Sequence, residues 1–150
     1  MQPIWFLDTL ARILVGGDDV GGAYGIVEFR CPQGHQPPPH IHPDHDENFQ
    51  VMEGELVLTT PDGDLVLEAG DCHTAPRGIP HTFRVIGERG ARLVVTSIPA
   101  GFEAFVRDAG DPAERDELPV VVGPPDFERL AAAAGRQGIE FVGSLAPVIA

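Results

Sequence analysis

The chain has 150 residues and 43% hydrophobic content, enough for one domain with a substantial core and too few for two. Lys+Arg 10 against Asp+Glu 23 gives a formal net charge of -13, which argues against nucleic acid or an anionic membrane surface as a partner, since both would repel it. Gly 18 and Pro 15 favour a turn-rich, all-β fold over a helical bundle.

The opening run Met1–Asp8 has no basic segment, and its apolar stretch breaks at Asp8, so no signal peptide is expected. No apolar run is long enough to span a bilayer, and a cytoplasmic location is expected. Ala23–Arg30 reads as a strand, with Tyr24, Ile26 and Glu28 on one face and Gly25, Val27 and Phe29 on the other. Cys31 and Cys72 do not sit in a CxxC pattern and read as two reduced, buried thiols. Pro37-Pro38-Pro39 is stiff and extended, and delivers His40 with little backbone freedom. Glu47–Glu53 and Glu55–Thr60 read as strands broken at Gly54, and Pro61-Asp62-Gly63-Asp64 as a hairpin turn into Leu65–Glu68. His81–Ile86 and Ala91–Ile98 make a further pair.

The pattern changes after Pro99. Phe102, Phe105 and Val106 recur at helical spacing, and Gly110 can end that helix. Asp111–Pro125 is a Pro- and acid-rich connector. Asp126 caps a second helix over Phe127–Arg136, with Phe127, Leu130 and Ala131 as its apolar stripe. The tail Ile139–Ala150 is expected to pack back on the barrel or to mediate association. Residues 1–150 therefore read as a single domain, with a barrel core over about 20–100 and a helical extension over about 101–150.

Four residues carry chemistry. His40 and His42 are two apart, so on an extended strand they share a face. Glu47 follows the turn-forming run Pro43-Asp44-His45-Asp46, which can fold the chain back beside them, and His81 waits downstream. Three imidazoles and a carboxylate converging in a barrel would hold one divalent transition metal (Fe, Ni, Mn, Co, Cu or Zn) with positions left open for chemistry. The alternative is histidines that are satisfied in the core or lie on the surface. Strand parity turns Phe49 and Val51 inward with Glu47, and Phe83 and Val85 inward with His81. Tyr24, Met52, Phe102 and His73 are candidates for the rim, and together these residues make an apolar, aromatic-lined pocket suited to a flat aromatic substrate. Each could equally be plain barrel core. His35 and His45 are expected to be exposed, while Asp44 and Asp46 read as a solvated turn or as acceptors for a histidine N–H.

Gly34, His40, His42, Glu47 and Gly54, followed by Gly70, Pro76, Gly78 and His81, resemble the paired signature of the cupin superfamily. The second motif usually closes with an Asn, and Val85 stands there instead. The resemblance implies a double-stranded β-helix, or jelly-roll barrel, here with two short C-terminal helices. It also implies His40, His42, Glu47 and His81 as metal ligands. A narrower resemblance runs through Asp19–Tyr24, Pro37–His42, Asp46–Glu55, Pro76–Phe83, Pro99–Glu103 and Gly138–Phe141. These stretches look like the single-cupin quercetin 2,3-dioxygenase-like proteins of bacteria, although Gln50 and Cys72-His73 depart from the pattern. That resemblance implies O2-dependent cleavage of a flavonol-like or other enolisable aromatic substrate, with Glu47 accepting the substrate hydroxyl proton. Edge strands of such barrels commonly pair between protomers, so a homodimer is expected. Two other functions stay open. One is a non-redox metalloenzyme (cyclase, isomerase or dehydratase) in which His73, Glu47 or Tyr24 shuttles protons. The other is a module that binds a small ligand without turnover.

Overall fold

The computed structural model describes residues 1–143. Short strands follow one another in chain order: β1 (Ile4–Phe6), β2 (Thr9–Val15), β3 (Gly25–Cys31), β4 (His40–Ile41), β5 (Asp46–Glu53), β6 (Glu55–Thr60), β7 (Gly63–Glu68), β8 (Cys72–Ala75), β9 (Thr82–Val85) and β10 (Ala91–Ile98). Helix α1 (Phe102–Ala109), strand β11 (Asp111–Pro112), helix α2 (Phe127–Arg136) and strand β12 (Glu140–Phe141) complete the chain. No helix among the described residues is long and apolar enough to cross a membrane.

The strands build a jelly roll from two facing layers. One is a seven-stranded sheet in the order β11-β1-β2-β3-β10-β5-β8. The other combines the three-stranded sheet β7-β6-β9 with the pair β12-β4. Alternation along each strand sends Val27, Phe29, Phe49, Val51, Leu93 and Val95 inward from the large sheet, where they meet Leu56, Leu58, Leu67, Phe83 and Val85.

The chain passes from one layer to the other between β5 and β6, at Gly54. Its φ of 85° lies in the left-handed region, and a Cβ there would sit 2.2 Å from the carbonyl oxygen of Gly90. Only glycine fits both the turn and the close approach.

The sheet is wider than the expected 20–100 core. β1 and β2 form an N-terminal hairpin that pairs with β3, and β11, inside the stretch read as a connector, pairs with β1. Two- and three-residue strands are too short for alternation to register, so their pairing is set by the sheet edge they meet. The expected Pro61–Asp64 hairpin turn is tighter than read, with Thr60 already paired to Gly63.

Helix α1 packs Phe105 on Phe6 and Phe102 on Phe29, with ring centroids 5.4 and 6.0 Å apart. In α2, Asp126 caps as expected, its Oδ1 accepting from the Arg129 amide at 3.0 Å. The buried stripe differs from expectation: it is Leu130, Ala133 and Ala134, while Phe127 is 59% exposed and Ala131 is also exposed. The Arg129 guanidinium donates to the carbonyls of Asp108 and Gly110 and pairs with Asp111, which fixes the helix rotation. Ile139 is buried, and β12 packs back on β4. The rest of the tail, 144–150, lies outside the described residues.

Candidate metal centre

β4 places His40 and, one step beyond it, His42. β5 places Glu47, and the approach to β9 places His81. Two reciprocal backbone hydrogen bonds tie the motifs together: the His40 amide donates to the His81 carbonyl at 3.1 Å, and the His81 amide to the His40 carbonyl at 3.0 Å. One donor atom from each of His40, His42, Glu47 and His81 falls within 4.8 Å of the others. The rings pack closely, with centroids of His40 and His81 at 4.7 Å and of His40 and His42 at 4.8 Å.

The hydrogen bonds fix which nitrogens face inward. A carbonyl can only accept, so His40 Nδ1–H donates to Pro38 at 2.7 Å and leaves Nε2 for the site. His81 Nδ1–H donates to the Ile79 carbonyl at 3.3 Å, and its Nε2 lies 2.8 Å from Glu47 Oε2. His42 Nε2 is 3.0 Å from the same oxygen but poorly aligned for a hydrogen bond. Both ring nitrogens of His42 are thus buried without a hydrogen bond among the described residues. A cation at Nε2 would satisfy one of them, and neutral imidazoles beside a carboxylate are the donor set that divalent transition metals favour.

Electrostatics agree with that assignment. Burial, then the neighbouring charge of His81, pushes His40 down to about 4, so it stays a neutral donor. Burial alone would raise Glu47, but His42 and His81 outweigh it and hold the carboxyl well below its usual range. Burial would likewise lower His81, and its hydrogen bond to Glu47, with that residue's charge, raises it instead.

His40 and Glu47 open onto a cavity that leaves about 50 Å³ to water-sized molecules. Its wall is largely aromatic, and Phe49, Phe83 and Phe102 line it beside His40 and Glu47. The other pocket candidates lie elsewhere. Val51 is fully buried core and does not line the cavity. Tyr24, 37% exposed, stands on the outer face of the barrel, because residues 25, 27, 29 and 31 take the inner one. Met52 is exposed for the same parity reason. His73 pairs with Phe49 across β5 and β8 but does not line the cavity.

Several residues read as surface are buried. His45 packs against His42 at 6.1 Å, tucked under the start of α1, where a Cβ on Gly101 would meet its Nε2 at 2.4 Å. His35 is 5% exposed and bonds to Asp8. These positions depend on contacts with distant segments, which local composition does not carry. Conversely, Cys72 is exposed: it opposes Gln50 on the outward face and bonds to Asn48, while Cys31 is buried as expected. Asp46 accepts from the backbone and guanidinium of Arg77, clipping the first motif to the second. Ser97 escaped the sequence reading. It pairs with Glu47 across β10 and β5, and its buried hydroxyl has no hydrogen bond among the described residues. The alternation Leu93, Val95, Ser97 was the available signal.

Residues 27–97 match the family model described as a cupin domain. The chain is similar to the quercetin 2,3-dioxygenase of Bacillus subtilis, 28% identical over 123 residues, covering 82% of this chain and 36% of that protein. It is 32% identical over 105 residues to the quercetin 2,3-dioxygenase of Aspergillus japonicus, covering 65% of this chain and 30% of that one. It thus spans about a third of the length of the curated relatives it matches. Among solved structures, a cupin-superfamily sugar phosphate isomerase from Silicibacter pomeroyi aligns with a TM-score of 0.54 at 28% identity, covering 63% of this chain and 61% of that one.

Proposed function

We propose that this chain, whose residues 27–97 match a cupin domain model, is a metal-dependent enzyme of the cupin superfamily whose leading reaction is quercetinase-like, O2-dependent cleavage of a flavonol-like or other enolisable aromatic substrate. The observation that carries this is the placement of Glu47: a buried carboxylate between two imidazoles, at the edge of a cavity walled by phenylalanines. A divalent transition ion held by His40, His42, Glu47 and His81 would supply Lewis acidity and, where redox-active, a centre for O2 chemistry. Phe49, Phe83 and Phe102 exclude water and present flat apolar surface to an aromatic ring. Glu47 Oε2, held ionised by its neighbours, accepts the proton of a substrate hydroxyl. The reading includes a homodimer in the cytoplasm, built on edge-strand pairing.

The test is O2 uptake with quercetin, on protein reconstituted separately with Fe(II), Ni(II), Mn(II), Co(II) and Zn(II), with metal content measured on each sample. Uptake with loss of the flavonol chromophore, abolished by Glu47→Gln, is the expected result. His81→Ala should strip the metal, and full occupancy in that variant would sink the ligand assignment.

One observation favours a second, non-redox reading. The cavity leaves only about 50 Å³ to water-sized molecules, and a three-ring flavonol enters only if the wall moves. A small hydroxy-carbonyl substrate fits better, in line with the isomerase among the structural relatives. Full metal occupancy with no uptake under any metal would put isomerase, cyclase or dehydratase chemistry first.

A further inference from the structure

We propose that His45 is a positioning residue for His42: its Nδ1 accepts, through one bridging water, the hydrogen that His42 carries on Nδ1. The inference rests on the reading of His40, His42, Glu47 and His81 as a metal centre, and adds to it a residue that reading leaves out.

A histidine that binds a metal through one ring nitrogen almost always donates the N–H of the other, which fixes the tautomer and the tilt of the ring. Two of the three imidazoles follow that pattern within the protein. His40 Nδ1–H donates to the Pro38 carbonyl at 2.7 Å, and His81 Nδ1–H to the Ile79 carbonyl at 3.3 Å. His42 does not. Its Nε2 is turned to Glu47 at 3.0 Å, and its buried Nδ1 has no partner among the described residues. A buried N–H without an acceptor is costly, so this one calls for an explanation.

The surroundings of His42 leave one ring that can answer it. Four aromatic rings pack on His42: His40 at 4.8 Å, His81 at 5.5 Å, Phe102 at 5.8 Å and His45 at 6.1 Å between centres. Phe102 has no nitrogen lone pair. His40 and His81 have both nitrogens committed, one to a carbonyl and one to the site. His45 is 6% exposed, and its buried Nδ1 has no partner among the described residues. The Ala100 carbonyl bonds to this ring. With Nδ1 unpaired, that bond comes from Nε2, which lies against Gly101 at the start of α1. A carbonyl only accepts, so Nε2 carries the hydrogen and Nδ1 keeps a lone pair. An imidazole N–H that lacks an acceptor is thus buried beside an imidazole lone pair that lacks a donor.

Ring centres 6.1 Å apart hold the two nitrogens beyond the roughly 3 Å of a direct hydrogen bond. One water spans such a gap, accepting from His42 Nδ1–H and donating to His45 Nδ1. The link then runs from the Ala100 carbonyl through His45 to His42, and ties the orientation of one donor of the metal centre to the start of α1.

The test compares two variants of the full chain. His45→Asn puts an amide oxygen near the place of Nδ1 but does not reach Ala100. His45→Gln carries an amide N–H to the place of Nε2 and offers no acceptor near Nδ1. Zinc affinity is measured by equilibrium dialysis at one pH, with folding of each variant checked by urea unfolding. His45→Asn should stay close to the parent, and His45→Gln should lose about 10- to 100-fold. The reverse order, equal losses, or no loss in either would make His45 a prop for α1 and overturn the proposal. A second measurement needs no variant. Nitrogen-15 spectra of the zinc-loaded parent should show the hydrogen of His42 on Nδ1 and that of His45 on Nε2, and a His45 protonated on Nδ1 would overturn the link by itself. Failure of zinc to bind the parent would instead overturn the metal reading, and the role of His45 with it.

Discussion

Two buried carboxylates in this chain do opposite work. Glu47 is surrounded by imidazoles and free to exchange them for a cation, whereas Glu103 is spent on backbone amides, accepting from Gly17 at 2.9 Å and from Gly101 at 2.8 Å. Its head also fills the space above Gly25, where a Cβ would meet Glu103 Oε2 at 2.1 Å. Glu103→Ala should therefore cost about 2–4 kcal/mol in urea unfolding, since one buried and one part-buried N–H group lose a charged acceptor, with little change in metal content. A metal binding at the four donors would have to displace a proton from His81, whose affinity for it is raised. Apparent metal affinity should fall as pH drops below that raised value, about tenfold per unit for one competing proton. His40, pushed down to about 4, adds no competition until more acid conditions. Equilibrium dialysis across pH 5–8 checks this, and an affinity flat in pH would contradict the assignment of His81. The clustering of four donors was legible in the sequence because a spacing of two on a strand sets His40 and His42 on one face. His35, His45 and Asp8 were not, since their burial is decided by segments far away in the chain. Tyr24 was placed at the rim against the parity of its own strand, and the structure follows the parity.

Among the elements, the strands longer than four residues after Ala23 were readable to within a residue or two, whereas β2 went unread because its apolar run Ile13-Leu14-Val15 does not alternate. β5, β6, β10 and both helices stand where alternation, turn residues and the Asp126 cap put them. The short edge strands β1, β11 and β12 were not readable, because two or three residues carry no period. Helix α2 shows where pattern alone misleads. Phe127 is its largest apolar residue, yet the clamp from Arg129 turns the helix so that Leu130 and two alanines meet the molecule. Leu130→Ala should cost about 2–4 kcal/mol, and Phe127→Ser should stay within about 0.5 kcal/mol. Thermal unfolding of the pair decides between this rotation and the one expected from sequence, which buries Phe127 beside Leu130 and makes both substitutions costly.

For the molecule as a whole, the formal charge of -13 is spread over a fold whose most buried acid faces three histidines. A cation at that point adds native-state stability by mass action, about 2.7 kcal/mol at a hundredfold excess over Kd. Removing metal with a chelator should lower Tm by about 5–10 °C and should leave Tm unchanged in His81→Ala, which holds no metal to lose. A turn-rich, all-β fold was legible from glycine and proline punctuation, and the jelly roll from the resemblance of the two motifs to the cupin signature. The cavity was legible only in part, since two of its aromatic walls, Phe49 and Phe83, follow from parity while Leu7, Phe141 and Ile139 come from the chain's two ends.

The reciprocal bonds between His40 and His81 have a consequence for portability. Neither motif is a binding unit that could be cut out and grafted. A peptide carrying the first motif would bring His40, His42 and Glu47 but leave β4 without the backbone that holds it in register. The centre comes into being only when the loop between the motifs has closed, so a host scaffold must supply both strands, already aligned, before any side chain is installed.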